Sequence, residues 1–106
     1  KGVLTEIKGD KYPVGSTQYR NRKDFINNTI SITKGDAVYF MTDGYPDQFG
    51  GPTGKQRFTS EGVANLIREN TGLSIFQMGD LFNSSYDNWK GEINQLDDVL
   101  VIGIKF

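Results

Sequence analysis

Two short acidic motifs, Asp43-Gly44 and Asp97-Asp98, are the residues of this chain best suited to chemistry. The first motif ends the apolar segment 37–42, and the second opens the apolar segment 99–106. If these segments are neighbouring antiparallel strands, the acids of both motifs meet at one end of a sheet. Carboxylate and carbonyl oxygens are the ligands that hard divalent cations prefer. The pattern therefore predicts an oxygen-ligand metal site, in which Gly44 lets a backbone carbonyl approach the cation closely.

Each motif also has a simpler interpretation as a solvated turn, because Asp and Gly are common turn residues. We assign Asp36 and Asp47 to turns for the same reason. Asp43 and Asp97 differ from them because both lie beside strongly apolar strand segments. Like charges brought together there repel each other unless a cation offsets them.

The composition excludes most other catalytic chemistries. The chain has 106 residues with no His and no Cys, which removes imidazole bases, thiolate nucleophiles, disulfides and the usual zinc ligands. Its net charge of −1 argues against a nucleic-acid partner or an anionic membrane surface, because both need a basic excess. The sequence has no apolar run of the roughly 20 residues that span a bilayer, and no signal-peptide pattern. We therefore expect a cytoplasmic protein.

Hydrophobic patterns predict four strands. Alternating apolar residues indicate strands at 3–7 and 25–33, and the turn 33–36 would join the second of these to strand 37–42 as a hairpin. Strand 37–42 is apolar on both faces, so we expect both faces to be covered. The final strand, 99–106, is also apolar enough to be internal.

Helical spacing predicts two helices between strands 37–42 and 99–106. The first covers about 60–70, and the second runs from Ser74, which opens a capping box with Gln77, to Gly91. This order of elements predicts an α+β domain, a mostly antiparallel sheet with two helices on one face. An aromatic stripe at helical spacing should contribute to the core: Phe76, Phe82, Tyr86 and Trp89.

These residues resemble the C-terminal half of a SpoIIE-type serine/threonine phosphatase, from the metal-dependent PP2C (PPM) superfamily. The resemblance rests on KGD at 34–36, TDGYPDQFGG at 42–51, the two predicted helices, and QLDDVLVIGIK at 95–105. GDKYPVG at 9–15 is similar to the glycine-proline-glycine segment that precedes the family's hairpin. The match runs the length of the chain. Residues 1–106 would then be the C-terminal part of the domain, half of a PP2C-like β-sandwich flanked by helices.

The resemblance implies an enzyme of bacterial signalling that hydrolyses phosphoserine or phosphothreonine on a protein substrate. Two manganese or magnesium ions would hold the water that attacks phosphorus, so no protein nucleophile is needed. By motif position, Asp43 and Asp97 would be catalytic metal ligands and Gly44 a backbone ligand. Asp98 would complete the metal site by orienting its neighbour. A sensor or regulatory domain would precede this segment.

Two departures from the family pattern leave other functions open. Leu100 stands where the family usually has Ser or Thr, three residues after Asp97. The family's N-terminal half, with its own Asp-Gly ligands, is absent from these residues. We therefore expect this chain alone to be inactive, with an apolar sheet face that is left exposed or covered by a second copy in a homodimer. The alternatives are a non-catalytic phosphatase-like module that binds a phosphoprotein or partner domain, and a structural domain whose acids are turn residues.

Overall fold

The structure, a computed structural model, describes residues 3–9 and 25–106. In these residues the chain folds as an α+β domain with two helices and two small antiparallel sheets. The elements, in chain order, are β1 (Ala37–Met41), β2 (Phe49–Gly50), β3 (Gln56–Arg57), α1 (Ser60–Arg68), α2 (Ile75–Lys90) and β4 (Val101–Lys105). The predicted fold class is confirmed.

β1 and β4 form the sheet that carries both acidic motifs. The strands are antiparallel, with Ala37 opposite Lys105 and Met41 opposite Val101. One further backbone hydrogen bond continues the pairing toward the acids, because Thr42 N donates to Leu100 O at 3.1 Å. The predicted adjacency of these two strands is therefore confirmed.

Only one face of this sheet is covered in the described parts of the chain. Tyr39 and Met41 pack against the core, whereas Phe40 on the opposite face is 58% exposed. Ile102 and Ile104 share the open face with Phe40 and are 46% and 42% exposed. The prediction that segment 37–42 is covered on both faces is wrong, because its apolar pattern shows what each face can bury and not what covers it.

Both predicted helices are present, and their N-terminal caps explain where they start. The Thr59 hydroxyl accepts a hydrogen bond from Gly62 N at the start of α1. The predicted capping box opens α2, where the Ser74 hydroxyl accepts from Gln77 N and the Gln77 side chain accepts from Ser74 N. α2 ends at Gly91, whose positive φ of 52° suits a residue without a side chain.

The core lies between the helices and the covered face of the sheet. Its buried members are Tyr45, Val63, Met78, Phe82 and Tyr86. The Tyr45 ring contacts the Phe82 and Tyr86 rings, with centroids 5.5 and 5.3 Å apart, and its hydroxyl donates to Phe82 O at 2.7 Å. The loop after β1 is thereby anchored to α2. Of the predicted aromatic stripe, Phe82 and Tyr86 are buried, but Phe76 is 84% exposed and the prediction fails there.

Two predicted strands do not form. Segments 3–7 and 25–33 have no strand structure, so the predicted hairpin is wrong and β1 pairs with β4 instead. Alternating apolar residues fix a strand only where one face is buried, and here Ile26 is 71% and Ile30 50% exposed. Residues 10–15, which carry part of the family resemblance, lie outside the described residues.

Candidate functional site

The end of the β1–β4 sheet brings the two acidic motifs together. The Thr42 hydroxyl donates to Asp98 O and accepts from Leu100 N, both at 3.1 Å. This side chain therefore continues the strand pairing by one step beyond β1. Asp43 follows Thr42 directly, so the hydrogen bonds of Thr42 also hold the backbone of Asp43 against the Asp98 segment.

Gly44 lies against the second motif and is buried. A Cβ atom built on Gly44 would overlap Asp98 O and would lie 3.2 Å from a Val99 methyl carbon. Any other residue would force the two chain segments apart, since real Cβ atoms do not approach so closely. Glycine is thus required here for the contact between the motifs, a reason that the sequence did not supply.

The three aspartates differ in how they are held. Asp97 is exposed, and one of its carboxylate oxygens accepts from Asp98 N at 2.7 Å. Its backbone carbonyl accepts from the Gln95 side chain at 2.9 Å. Asp43 is also exposed, and its backbone carbonyl accepts from Asp47 N at 2.9 Å, which closes the turn predicted there. Asp98 contacts its neighbour through its backbone N–H.

The carboxylate and carbonyl oxygens of these residues are of the kind that a hard divalent cation prefers, but they are too few to surround one. Exposed carboxylates and backbone carbonyls are suitable ligands for manganese or magnesium. Within residues 3–9 and 25–106, however, no group of three or more acidic side chains could hold a metal ion. A cation bound here would need further ligands from water or from residues beyond the described ones, so the ligand roles of Asp43, Gly44, Asp97 and Asp98 stay predictions.

The sequence did not single out Gln48, although it is the buried polar residue of the described part of the chain. Its side chain is 1% exposed and bonds to the chain before Asp97. Glutamine is usually a surface residue, so hydropathy gives no sign of its burial. Its place within the TDGYPDQFGG segment was the available signal.

Comparison with known proteins identifies the fold. The structure resembles the SiaA-PP2C domain of Pseudomonas aeruginosa, with a TM-score of 0.72 and 26% sequence identity. The match covers 79% of this chain and 34% of that one, so the chain spans about a third of the solved domain's length. No family model and no curated protein matches the sequence. The chain therefore has a PP2C-like fold, and it corresponds to part of such a domain.

No helix within the described ranges is both long enough and apolar enough to cross a lipid bilayer.

Proposed function

We propose that this chain supplies part of the two-metal site of a SpoIIE-type phosphoserine/phosphothreonine protein phosphatase. One observation carries the proposal, namely the contact of Asp43-Gly44 with Asp97-Asp98 at the end of the β1–β4 sheet. It occurs in a PP2C-like fold, which agrees with a phosphatase of this type. The absence of His and Cys from the sequence agrees with a reaction that uses no imidazole or thiolate.

Each residue of the site would have a distinct task. Asp43 and Asp97 would bind the cations through carboxylate oxygens, and Gly44 through its carbonyl oxygen. Asp98 N–H occupies one carboxylate oxygen of Asp97, which leaves the other oxygen to face a cation. Bound manganese or magnesium would lower the pKa of a water and offset charge on the phosphoryl group. The remaining ligands would come from residues outside this chain, in the N-terminal part of the domain.

The proposal extends to the cellular setting that the family resemblance implies. The substrate would be a bacterial phosphoprotein in the cytoplasm, and a sensor or regulatory domain would precede the phosphatase domain. The apolar sheet face would be covered by the rest of the domain or by a second copy of the chain.

The test is manganese-dependent hydrolysis of a phosphoserine peptide by the full-length protein. Asp43→Asn keeps the size of the side chain but removes a charged ligand, so activity should fall to the level measured without metal. Its far-UV circular dichroism and thermal midpoint should stay near those of the unaltered protein, because Asp43 is exposed. Asp80→Asn is the matched control, since it removes the same charge from an exposed position on α2 and should leave activity unchanged.

Retained activity in Asp43→Asn would contradict the proposal. So would an unaltered full-length protein that hydrolyses no phosphoserine peptide with any divalent cation.

A second candidate is a non-catalytic phosphatase-like module that binds a phosphoprotein. The lack of any three-acid cluster in residues 3–9 and 25–106 favours it, because a competent site needs more ligands than are present. The same peptide discriminates the two functions. A binding module would bind it without turnover, and binding would survive both Asp43→Asn and chelation of divalent cations.

A further inference from the structure

Gln48 has a carboxamide whose hydrogen-bonding capacity is fully used. Its Nε2 donates to Phe49 O and to Asn94 O, both at 3.0 Å. Its Oε1 accepts from the Tyr86 hydroxyl at 2.8 Å and from Leu96 N at 3.3 Å. Two donors and two acceptor positions are thus all satisfied, which is what a side chain that is 1% exposed requires.

The backbone of Gln48 is fixed independently of its side chain. Its carbonyl oxygen accepts from the Trp89 indole N–H at 2.9 Å and from Phe58 N at 3.1 Å. Its own N–H donates to Tyr45 O at 3.3 Å. Gln48 is therefore held to α2 and to the segment before α1. Its side-chain amide can thus hold another loop in place through hydrogen bonds.

That other loop is the segment 94–96, which leads from the end of α2 to Asp97. The segment forms no helix or strand. Leu96 is 59% exposed, so burial of its side chain does little to hold the segment in place. The bonds from Gln48 to Asn94 O and Leu96 N tie this segment to the loop that follows β1. Asp43 opens that same loop, five residues before Gln48.

We propose that Gln48 is a positioning residue that fixes the chain before Asp97 relative to Asp43, and thereby sets the affinity of the site for a divalent cation. This inference rests on the proposed metal site. Groups that orient metal ligands without touching the metal typically change affinity by about 10–100-fold when altered. Gln48 would act in this way through the backbone, because its amide bonds the residue directly before Asp97.

The test compares two variants of the full-length protein, Gln48→Met and Tyr86→Phe. Methionine is similar in length but cannot bond Asn94 or Leu96, so the tie to segment 94–96 is lost. Phenylalanine at position 86 removes a hydrogen bond from the same buried amide but leaves that tie intact. Both variants should therefore lower the thermal midpoint, and only Gln48→Met should affect the neighbourhood of Asp97.

Two measurements separate positioning from simple stability. Amide hydrogen exchange at residues 95–98 should accelerate in Gln48→Met and stay at the unaltered rate in Tyr86→Phe. Titration with Mn²⁺ alone should show affinity about 10–100-fold weaker for Gln48→Met and within about twofold of the unaltered protein for Tyr86→Phe. Gln48→Glu, which keeps the shape but loses both N–H donors, should give the same two changes and replaces Gln48→Met if that variant does not fold.

Each contrary outcome has a defined meaning. Unchanged exchange at 95–98 in Gln48→Met and Gln48→Glu would overturn the positioning role. Faster exchange with unchanged Mn²⁺ affinity would overturn the link from that position to the metal. If the unaltered protein binds no Mn²⁺, the proposed metal site itself is wrong, and hydrogen exchange still decides whether Gln48 holds segment 94–96.

Discussion

At the scale of single residues, uncharged residues position the charged ones. Thr42 bonds both Asp98 O and Leu100 N through one hydroxyl, and Gly44 gives the Asp98 carbonyl the space it occupies. This arrangement also shows that the contact does not depend on the side chain of Leu100, which stands where the phosphatases that the sequence resembles usually have Ser or Thr. Its backbone N–H and carbonyl both bond Thr42, while its side chain is 55% exposed. The departure therefore leaves the contact between the motifs intact.

Gly44→Ala tests that contact directly. The added Cβ would meet the Asp98 carbonyl oxygen, so the backbone must shift and the free energy of unfolding should fall by about 1–3 kcal/mol. Gly79→Ala on α2 is the control, because nothing lies within 4 Å of its Cβ position. Alanine there should raise the free energy of unfolding by about 0.5–1 kcal/mol, since glycine weakens a helix interior. Urea unfolding measures both, and equal stabilities of Gly44→Ala and the unaltered protein would contradict the close approach.

At the scale of elements, the sequence predicts those whose own residues define them. α2 has a capping box at its start and a glycine at its end, and both lie where the pattern placed them. Segment 25–33 has the alternation of a strand but forms none, because alternation specifies a strand only where one face is buried, and Ile30 is 50% exposed. The short β2–β3 pair was missed for the opposite reason, since its residues look like a loop and their pairing comes from the surrounding contacts. The same limit hid Gln48, whose burial depends on α2 and segment 94–96.

Ser74→Ala tests how much the capping box contributes to the molecule. The change removes the hydroxyl that accepts from Gln77 N at 3.1 Å, and it should lower the free energy of unfolding by about 1 kcal/mol. Ser84→Ala is the control, because that hydroxyl bonds Leu81 O on the exposed face of α2 and its loss should cost less than about 0.5 kcal/mol. Chemical denaturation of both variants measures their free energies of unfolding. Equal effects would show that the cap adds nothing beyond an ordinary surface hydroxyl.

At the scale of the whole molecule, stability is concentrated on one side of the sheet. The buried aromatic cluster around Tyr45 joins the loop after β1 to α2 through Phe82 and to the segment before α1 through Phe58. The opposite side presents Phe40, Ile102 and Ile104 to solvent, which marks a surface suited to burial against another layer. The position of the candidate site relative to the sheet therefore depends on the side of the sheet that packs against this aromatic cluster.

That dependence predicts a loss of stability at alkaline pH. Burial raises the pKa of Tyr45 well above its ordinary value, and burial also raises the pKa of Tyr86 and Tyr39. As the pH rises above about 10, these tyrosines ionise more readily in the unfolded chain than in the folded one, where burial disfavours the charged form. The unfolded state then binds fewer protons, so the free energy of unfolding should fall by up to about 1.4 kcal/mol per pH unit for Tyr45 alone. The contribution is fully present below about pH 10 and is lost progressively as the pH rises from there through the raised pKa of Tyr45.

Urea unfolding at several pH values from 8 to about 11.5 measures this loss. Tyr45→Phe should be less stable than the unaltered protein at pH 8, because Phe82 O loses the hydroxyl that bonds it at 2.7 Å. It should also lose less stability as the pH rises, since it lacks the buried hydroxyl whose ionisation the folded state disfavours most. If the two proteins lose stability in parallel above pH 10, the loss of stability at alkaline pH does not come from Tyr45. The aromatic cluster would then be open enough for its central tyrosine to ionise in place.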